Sequence, residues 1–430
     1  MKRYSIILLF SFICFTKLIA QSASLETLLF ELPDVSFEKI ETPEGYQSAY
    51  MLKVKQPIDH SDTSKGYFHQ KVYLSHLSFD APSVIITQGY TKNSNSIFEL
   101  SRVLKANQID VEHRYFGDSS PKEIDYDYLN LKQVTADLHH IRTLLGNIYK
   151  NKWVSTGVSK GGSTTVFYRY FYPEDVDVSV PYVAPINNSF EDKRIYKFFD
   201  TIGTAKCRNK IQNFQKDILK NREEILPLLK FYSLGRNVHY SYLSLEEAFE
   251  LTVLEYPFSF WQWGTSCEDI PFKNASIEDK TKHLIKVCDM SFFADETMTK
   301  YASHYYQSAE EFGYYGYETK DFKKLLKALP KGKNPHAAFT PNHMKVPFKG
   351  DELLSDVSKW LKKKGDHFIY IYGGNDTWSA TGVPKSKSVD SQWFVLKGKH
   401  HGNARIKNFT DSERARFNKT INDWLGLELE

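Results

Sequence analysis

The amino-acid sequence predicts an α/β protein: a mostly parallel sheet with helices on its faces, interrupted by a long helical insertion. Three observations predict it. Short β-rich runs alternate with helical patterns up to about Pro185. The alternation stops between about Asn187 and Gly350, where irregular helical segments rich in Lys, Glu, Tyr and Phe take over. It then resumes to the end of the chain. Strands alternating with helices imply parallel pairing, because a parallel connection has to cross back over one face of the sheet.

The elements follow in order. Lys2 and Arg3, the near-continuous apolar run Ile6–Phe15 and the small residue ending Leu18-Ile19-Ala20 read as a secretory signal peptide over residues 1–20. The apolar run is shorter than the roughly 20 residues a membrane span needs. The mature protein is therefore expected to be secreted or periplasmic, with no stable membrane anchor. Leu52–Val54, Val72–Leu77 and Ser83–Thr87 read as strands bounded by Gly, Pro and Asp, and Ile109–Val111 and Lys152–Thr156 as two more. Between the last two, Leu131, Val134, Leu138, Ile141, Leu145 and Ile148 recur at helical spacing. Ser163–Phe171 fits a helix. Beyond the insertion, Leu353–Lys362 reads as a helix, His367–Tyr372 and Gln392–Leu396 as strands, and Asp411–Leu425 as a closing helix. The expected organisation is a signal peptide over 1–20, a first α/β part over 21–186, a helical cap over 187–350 and a second α/β part over 351–430.

Composition narrows the function. A chain of 430 residues with 41% hydrophobic, 15% aromatic and 25% charged residues is neither disordered nor a rod. Its net charge is +4, and removing Lys2, Arg3 and Lys17 with the signal peptide leaves +1. Nothing in that balance favours a nucleic-acid partner. Cys207, Cys267 and Cys288 remain after processing; an oxidising compartment allows one pair to close a disulfide, and the sequence does not say which. No Cys-x-x-Cys or Cys/His cluster points to a metal, and no cofactor is expected. Oligomeric state is not legible.

The chemistry starts at Gly157-Val158-Ser159-Lys160-Gly161. A Gly-x-Ser-x-Gly segment between a strand and a helix exposes its serine on a sharp turn, with glycines where side chains would clash. The strand Lys152–Thr156 and the helix Ser163–Phe171 supply that context, so Ser159 is the expected nucleophile. Such a serine needs a base, and the base an orienting acid, following it in the order Ser, Asp or Glu, His. Asp376 stands just past the strand His367–Tyr372, and His400 and His401 stand in the Gly-rich loop after Gln392–Leu396. Both loops leave the carboxyl ends of late strands, where open α/β sheets bind ligands. The oxyanion hole should use the backbone N–H of Lys160 and a second from Gln88-Gly89-Tyr90 after the strand Ser83–Thr87; Tyr90 is the expected donor.

Four segments carry a family resemblance. They are Lys55-Gln56-Pro57-Ile58-Asp59-His60, the Glu-His-Arg run in Val111–Pro121, the elbow Gly157–Gly162 and the loop Gly398–Ile406. Within the insertion only Leu254–Phe258 aligns. On these motifs the chain resembles secreted bacterial serine peptidases of the prolyl tripeptidyl aminopeptidase family. More distantly it is similar to the Pro-Xaa carboxypeptidase and dipeptidyl peptidase group. The resemblance implies an α/β-hydrolase fold with a largely helical cap inserted between nucleophile and acid. It implies cleavage of short peptides near the N-terminus, after proline, by an acyl-enzyme mechanism. It carries over Ser159 as nucleophile and Asp376 as acid. Aligning Gly398 with the related group's Gly-x-His-His places the base on His400, whereas a simple His-Gly pattern selects His401; His400 is preferred.

Proline selectivity asks for an apolar slot, for which Trp261, Trp263, Trp378 and Phe258 are available. An aminopeptidase also needs an acid for the substrate's α-ammonium; Glu255, Glu268 and Asp269 are available, and the sequence does not choose among them. Glu112-His113-Arg114 precedes the nucleophile and is expected to be a charged network supporting the elbow, with Asp118–Pro121 at the pocket rim. A secreted carboxylesterase or lipase would use the same triad, but the insertion has no long apolar lid. A non-catalytic binding module would share the fold, but the Ser, Asp and His set is intact.

Overall fold

The computed structural model describes residues 24–330 and 339–429. The signal peptide expected over residues 1–20 lies outside the described residues.

One nine-stranded sheet organises them. Its strands are β1 (Val35–Lys39), β2 (Ser48–Pro57), β3 (Tyr67–His76), β4 (Ser83–Thr87), β5 (Asn107–Val111), β6 (Trp153–Val158), β7 (Val178–Tyr182), β8 (Ile369–Gly373) and β9 (Gln392–Leu396). Their order across the sheet is β1-β2-β3-β5-β4-β6-β7-β8-β9. The pairs β1–β2, β2–β3 and β3–β5 are antiparallel, and every pair from β5 to β9 is parallel. In the parallel part, β4, β5, β7 and β8 are buried at every position, as strands covered on both faces must be.

The two faces follow the period of two along each strand. In β4, Ile85 packs with Leu138, Ile141 and Leu145 of the helix Leu131–Leu145. Its neighbours Val84 and Ile86 pack on the other side, with Phe417 and Ile421 of the helix Asp411–Leu425. Burying side chains of this size contributes about 1.5–3 kcal/mol each.

The α/β-hydrolase reading of the sequence agrees with this architecture. Two strands were not anticipated. β1 is an edge strand with little apolar pattern, and β7 contains Pro181. A proline removes a ladder donor, and β7 meets β8 only at Tyr182 with Ile371 and at the Ser179–Phe368 bridge.

Between β7 and β8 the described residues form helices and turns with a separate apolar core running from Ile195 to Phe339. At its centre lies the helix Leu245–Trp263, buried along most of its length. Ser244 and Glu247 form its capping box, and Gly264 ends it in the left-handed conformation at φ 72°. A disulfide joins Cys207 to Cys267 with the Cα atoms 5.6 Å apart, leaving Cys288 as a buried thiol. Among the described residues, no helix is long and apolar enough to cross a membrane.

Candidate active site

Ser159 stands between the end of β6 and the helix Lys160–Phe171, with φ 57° and ψ −125°. A non-glycine residue in that region is strained and is held there by its surroundings. Its N–H donates to the Tyr182 carbonyl at 2.9 Å, and the Ser159 carbonyl accepts from the Ser163 N–H at 2.9 Å. The flanking glycines are a steric requirement. A Cβ on Gly157 would lie 2.4 Å from the Gly161 carbonyl oxygen, and one on Gly161 2.4 Å from that of Thr87. The helix begins at Lys160, three residues earlier than the sequence pattern indicated.

The loop after β4 packs directly on this turn. A Cβ on Gly89 would meet Lys160 Cβ at 2.7 Å and Gly161 N at 2.8 Å. As the first helical residue, Lys160 has no partner for its N–H within its own helix. Tyr90 and Lys160 both line the cavity that Ser159 borders. The two expected oxyanion donors thus belong to segments in contact.

Asp376 is fully buried past the end of β8. It caps the following turn, accepting from the Trp378 N–H at 3.2 Å and from the Ser379 hydroxyl at 3.2 Å. The same carboxylate faces His401 Nδ1, with its oxygens at 3.1 and 3.0 Å. A carboxylate only accepts, so Nδ1 carries the proton and Nε2 is left as a base. His401 is 5% exposed and lies edge-on to Trp263, the ring centroids 6.0 Å apart. Its backbone N–H donates to the Gln262 carbonyl at 3.1 Å, which ties the loop to the end of the helix Leu245–Trp263.

This corrects the preference for His400. Its Nδ1 accepts from the Gly402 N–H at 3.2 Å, and its ring lies against Gly264, where a Cβ would be 2.5 Å from Cδ2. The two histidines share a tight loop that sends only the second toward Asp376, and chain order does not reveal which.

Ser159 and His401 border a cavity of about 610 Å³, within the size range of small-ligand sites. Glu255, Trp263 and Trp378 line it too. Trp261 does not: it is 7% exposed, covers Gly203 and lines a separate cleft with Tyr196 and Phe199. Helical geometry explains the split. Glu255, Ser259, Gln262 and Trp263 stand at i, i+4, i+7 and i+8 on one face, and Trp261 falls on another. The expected rim residues Asp118 and Ser119 are engaged elsewhere, with Lys71 at 2.7 Å and Glu112 at 2.9 Å.

Glu255 is buried, and its Oε2 accepts from the hydroxyls of Tyr315 at 2.8 Å and Tyr317 at 2.6 Å. Burial raises its pKa to about 7, against the lowering by the two phenols. Tyr315 also stands 4.9 Å from Trp378, ring to ring. Neither tyrosine stands out in the sequence as a site residue. The only signal was the run Tyr314-Tyr315-Gly316-Tyr317, unremarkable in a chain with 27 tyrosines.

Comparison with known proteins agrees with the motifs. Over 416 residues, 95% of this chain and 86% of the relative, the sequence is 29% identical to the prolyl tri/tetrapeptidyl aminopeptidase of Streptomyces mobaraensis. A prolyl carboxy peptidase like protein of Caenorhabditis elegans is 28% identical over 171 residues, 35% of this chain and 33% of that one. Among solved structures, the proline iminopeptidase of Mycobacterium smegmatis covers 87% of this chain and 97% of its own, at a TM-score of 0.39 and 11% identity. That likeness is too loose to bear on activity. The family profile of PS-10 peptidase S37 matches residues 20–429. With that match spanning nearly the whole sequence, the chain belongs to the PS-10 peptidase S37 family and is a serine peptidase.

Proposed function

We propose that the protein is a secreted exopeptidase that cleaves short peptides near their N-terminus, after proline, through Ser159, His401 and Asp376. The observation that carries the reading is the pairing of His401 Nδ1 with the buried Asp376 carboxylate, on a cavity shared with the strained Ser159. In this mechanism His401 Nε2 takes the Ser159 proton as Oγ attacks the scissile carbonyl. The oxyanion rests on the N–H groups of Lys160 and Tyr90. His401 then protonates the leaving amine, and water releases the acyl group. Asp376 keeps the proton on Nδ1 and stabilises the imidazolium.

The N-terminal preference is supported by Glu255, a carboxyl group on the same cavity that can hold an α-ammonium. The proline preference is supported by Trp263, Trp378 and Tyr315 on its walls, and by the name of the Streptomyces relative. A fluorophosphonate probe tests the mechanism. One label is expected on Ser159, absent from Ser159→Ala. A wild type that hydrolyses peptides but carries its label elsewhere, or none, contradicts the triad.

A further inference from the structure

The Lys160 side chain and the Glu-His-Arg run have no role in the steps above, yet they meet beneath the nucleophile. Lys160 is 6% exposed, and among the described residues no carboxylate lies within ion-pair distance of it. Its amine donates instead to the Gly89 carbonyl at 2.9 Å and reaches His113 Nε2 at 3.1 Å. The other ring nitrogen, Nδ1, lies 2.7 Å from the Arg114 carbonyl, an acceptor only, so Nδ1 bears the proton and Nε2 accepts from the amine. Two N–H groups suffice for both bonds, so the arrangement needs no charge on Lys160. Burial drives its pKa well below the usual lysine value.

The carbonyl that the amine holds has a particular place. Gly89 C=O and Tyr90 N–H belong to one peptide unit, and with no cis bond among the described residues they point in opposite directions. Fixing the carbonyl on the buried side therefore fixes the direction of the N–H. A hydrogen bond to the carbonyl also polarises the amide and strengthens it as a donor. The rest of the loop is held from the same strand end. The His113 N–H donates to the Tyr90 carbonyl at 3.4 Å, and the Lys92 N–H donates to Glu112 at 2.7 Å.

We propose that Lys160 and His113 are positioning residues for the oxyanion hole: the amine, held by His113 Nε2, locks the Gly89–Tyr90 peptide so that the Tyr90 N–H is set for the transition state. The inference rests on the triad reading and deepens it. Lysine at this place in the elbow thus acts twice, by its backbone at the oxyanion and by its side chain on the second donor.

The test uses the full chain as wild type, Lys160→Met and His113→Phe, with three readouts. These are kcat and KM on a proline-ended peptide anilide, the Ki of the matching peptide aldehyde, and the Ki of the matching peptide alcohol. The aldehyde forms a tetrahedral adduct that fills the oxyanion hole, and the alcohol cannot. Lys160→Met is expected to lower kcat by about 10- to 100-fold with KM within about threefold. Aldehyde affinity should fall in parallel, with the alcohol unaffected. His113→Phe should move the same way by a smaller factor, and it decides the matter alone if Lys160→Met does not fold. An unchanged kcat, or aldehyde and alcohol weakening together, overturns the brace. Labelling of wild-type Ser159 is read first: a labelled enzyme with unaltered variants sinks the brace alone, and an unlabelled one sinks the triad with it.

Discussion

His400 and His401 are neighbours with different surroundings, and substitution separates them. His401→Ala removes the proposed base, whose Nδ1 faces Asp376, and is expected to lower kcat by about 10⁴-fold or more. His400→Ala is expected to stay within about tenfold, because His400 holds a loop rather than the carboxylate. Equal losses in the two would contradict the assignment. Glu255 makes a pH prediction. Its carboxyl titrates near 7, and only the ionised form attracts an ammonium. The preference for a free over an acetylated N-terminus should therefore grow as pH rises through about 7, and Glu255→Gln should flatten it. Stability carries the opposite sign. The fold binds a proton that the unfolded chain releases near 4.5, so burying Glu255 costs more stability as pH rises from 4.5 towards 7. At this scale the positions of Ser159 and Lys160 on the strand–helix turn and of Asp376 past a strand end were legible, because a motif or a strand end marks each one. The choice between adjacent histidines was not, since it depends on which way a loop turns its side chains. Nor was the misplaced Trp261, whose helix face is fixed only once the helix is docked.

The elements explain why those residues hold still. The helix Leu245–Trp263 supplies Glu255 and Trp263 to the cavity, and its Gln262 carbonyl holds the His401 loop. The Cys207–Cys267 disulfide secures its end by tying the segment just past Gly264 to the helix Ala205–Lys220. The bond spans a sequence separation of 60. In the chain-entropy account, closing a loop of that length contributes about 4 kcal/mol. Cys207→Ala should therefore lower the Tm clearly, and a reductant should bring wild type down to the same value. A Tm unmoved by either would show that the cap does not depend on the bond. β4, β9 and the closing helix were legible to the residue, because continuous apolar runs and helical spacing mark them. β7 was not, because a buried strand carrying Pro181 has no clear local signature.

At the scale of the whole molecule, the insertion and the sheet build one cavity between them. Trp263 and Glu255 come from the helical part, and Ser159 and His401 from the sheet's loops. The interruption of the α/β pattern was legible in the sequence, and among the described residues no named strand lies between β7 and β8. The antiparallel half of the sheet was not, because strand direction is decided by connections and not by strand composition. The proposed activity turns on cleavage after proline close to a free N-terminus. Product analysis on a set of peptides tests it most directly: proline is moved from the second to the sixth position, and each peptide is supplied with a free and an acetylated N-terminus. A single cut after proline is expected, confined to the first few positions and strongly reduced by acetylation. Cleavage at distant prolines regardless of acetylation, or cleavage that ignores proline, would contradict it.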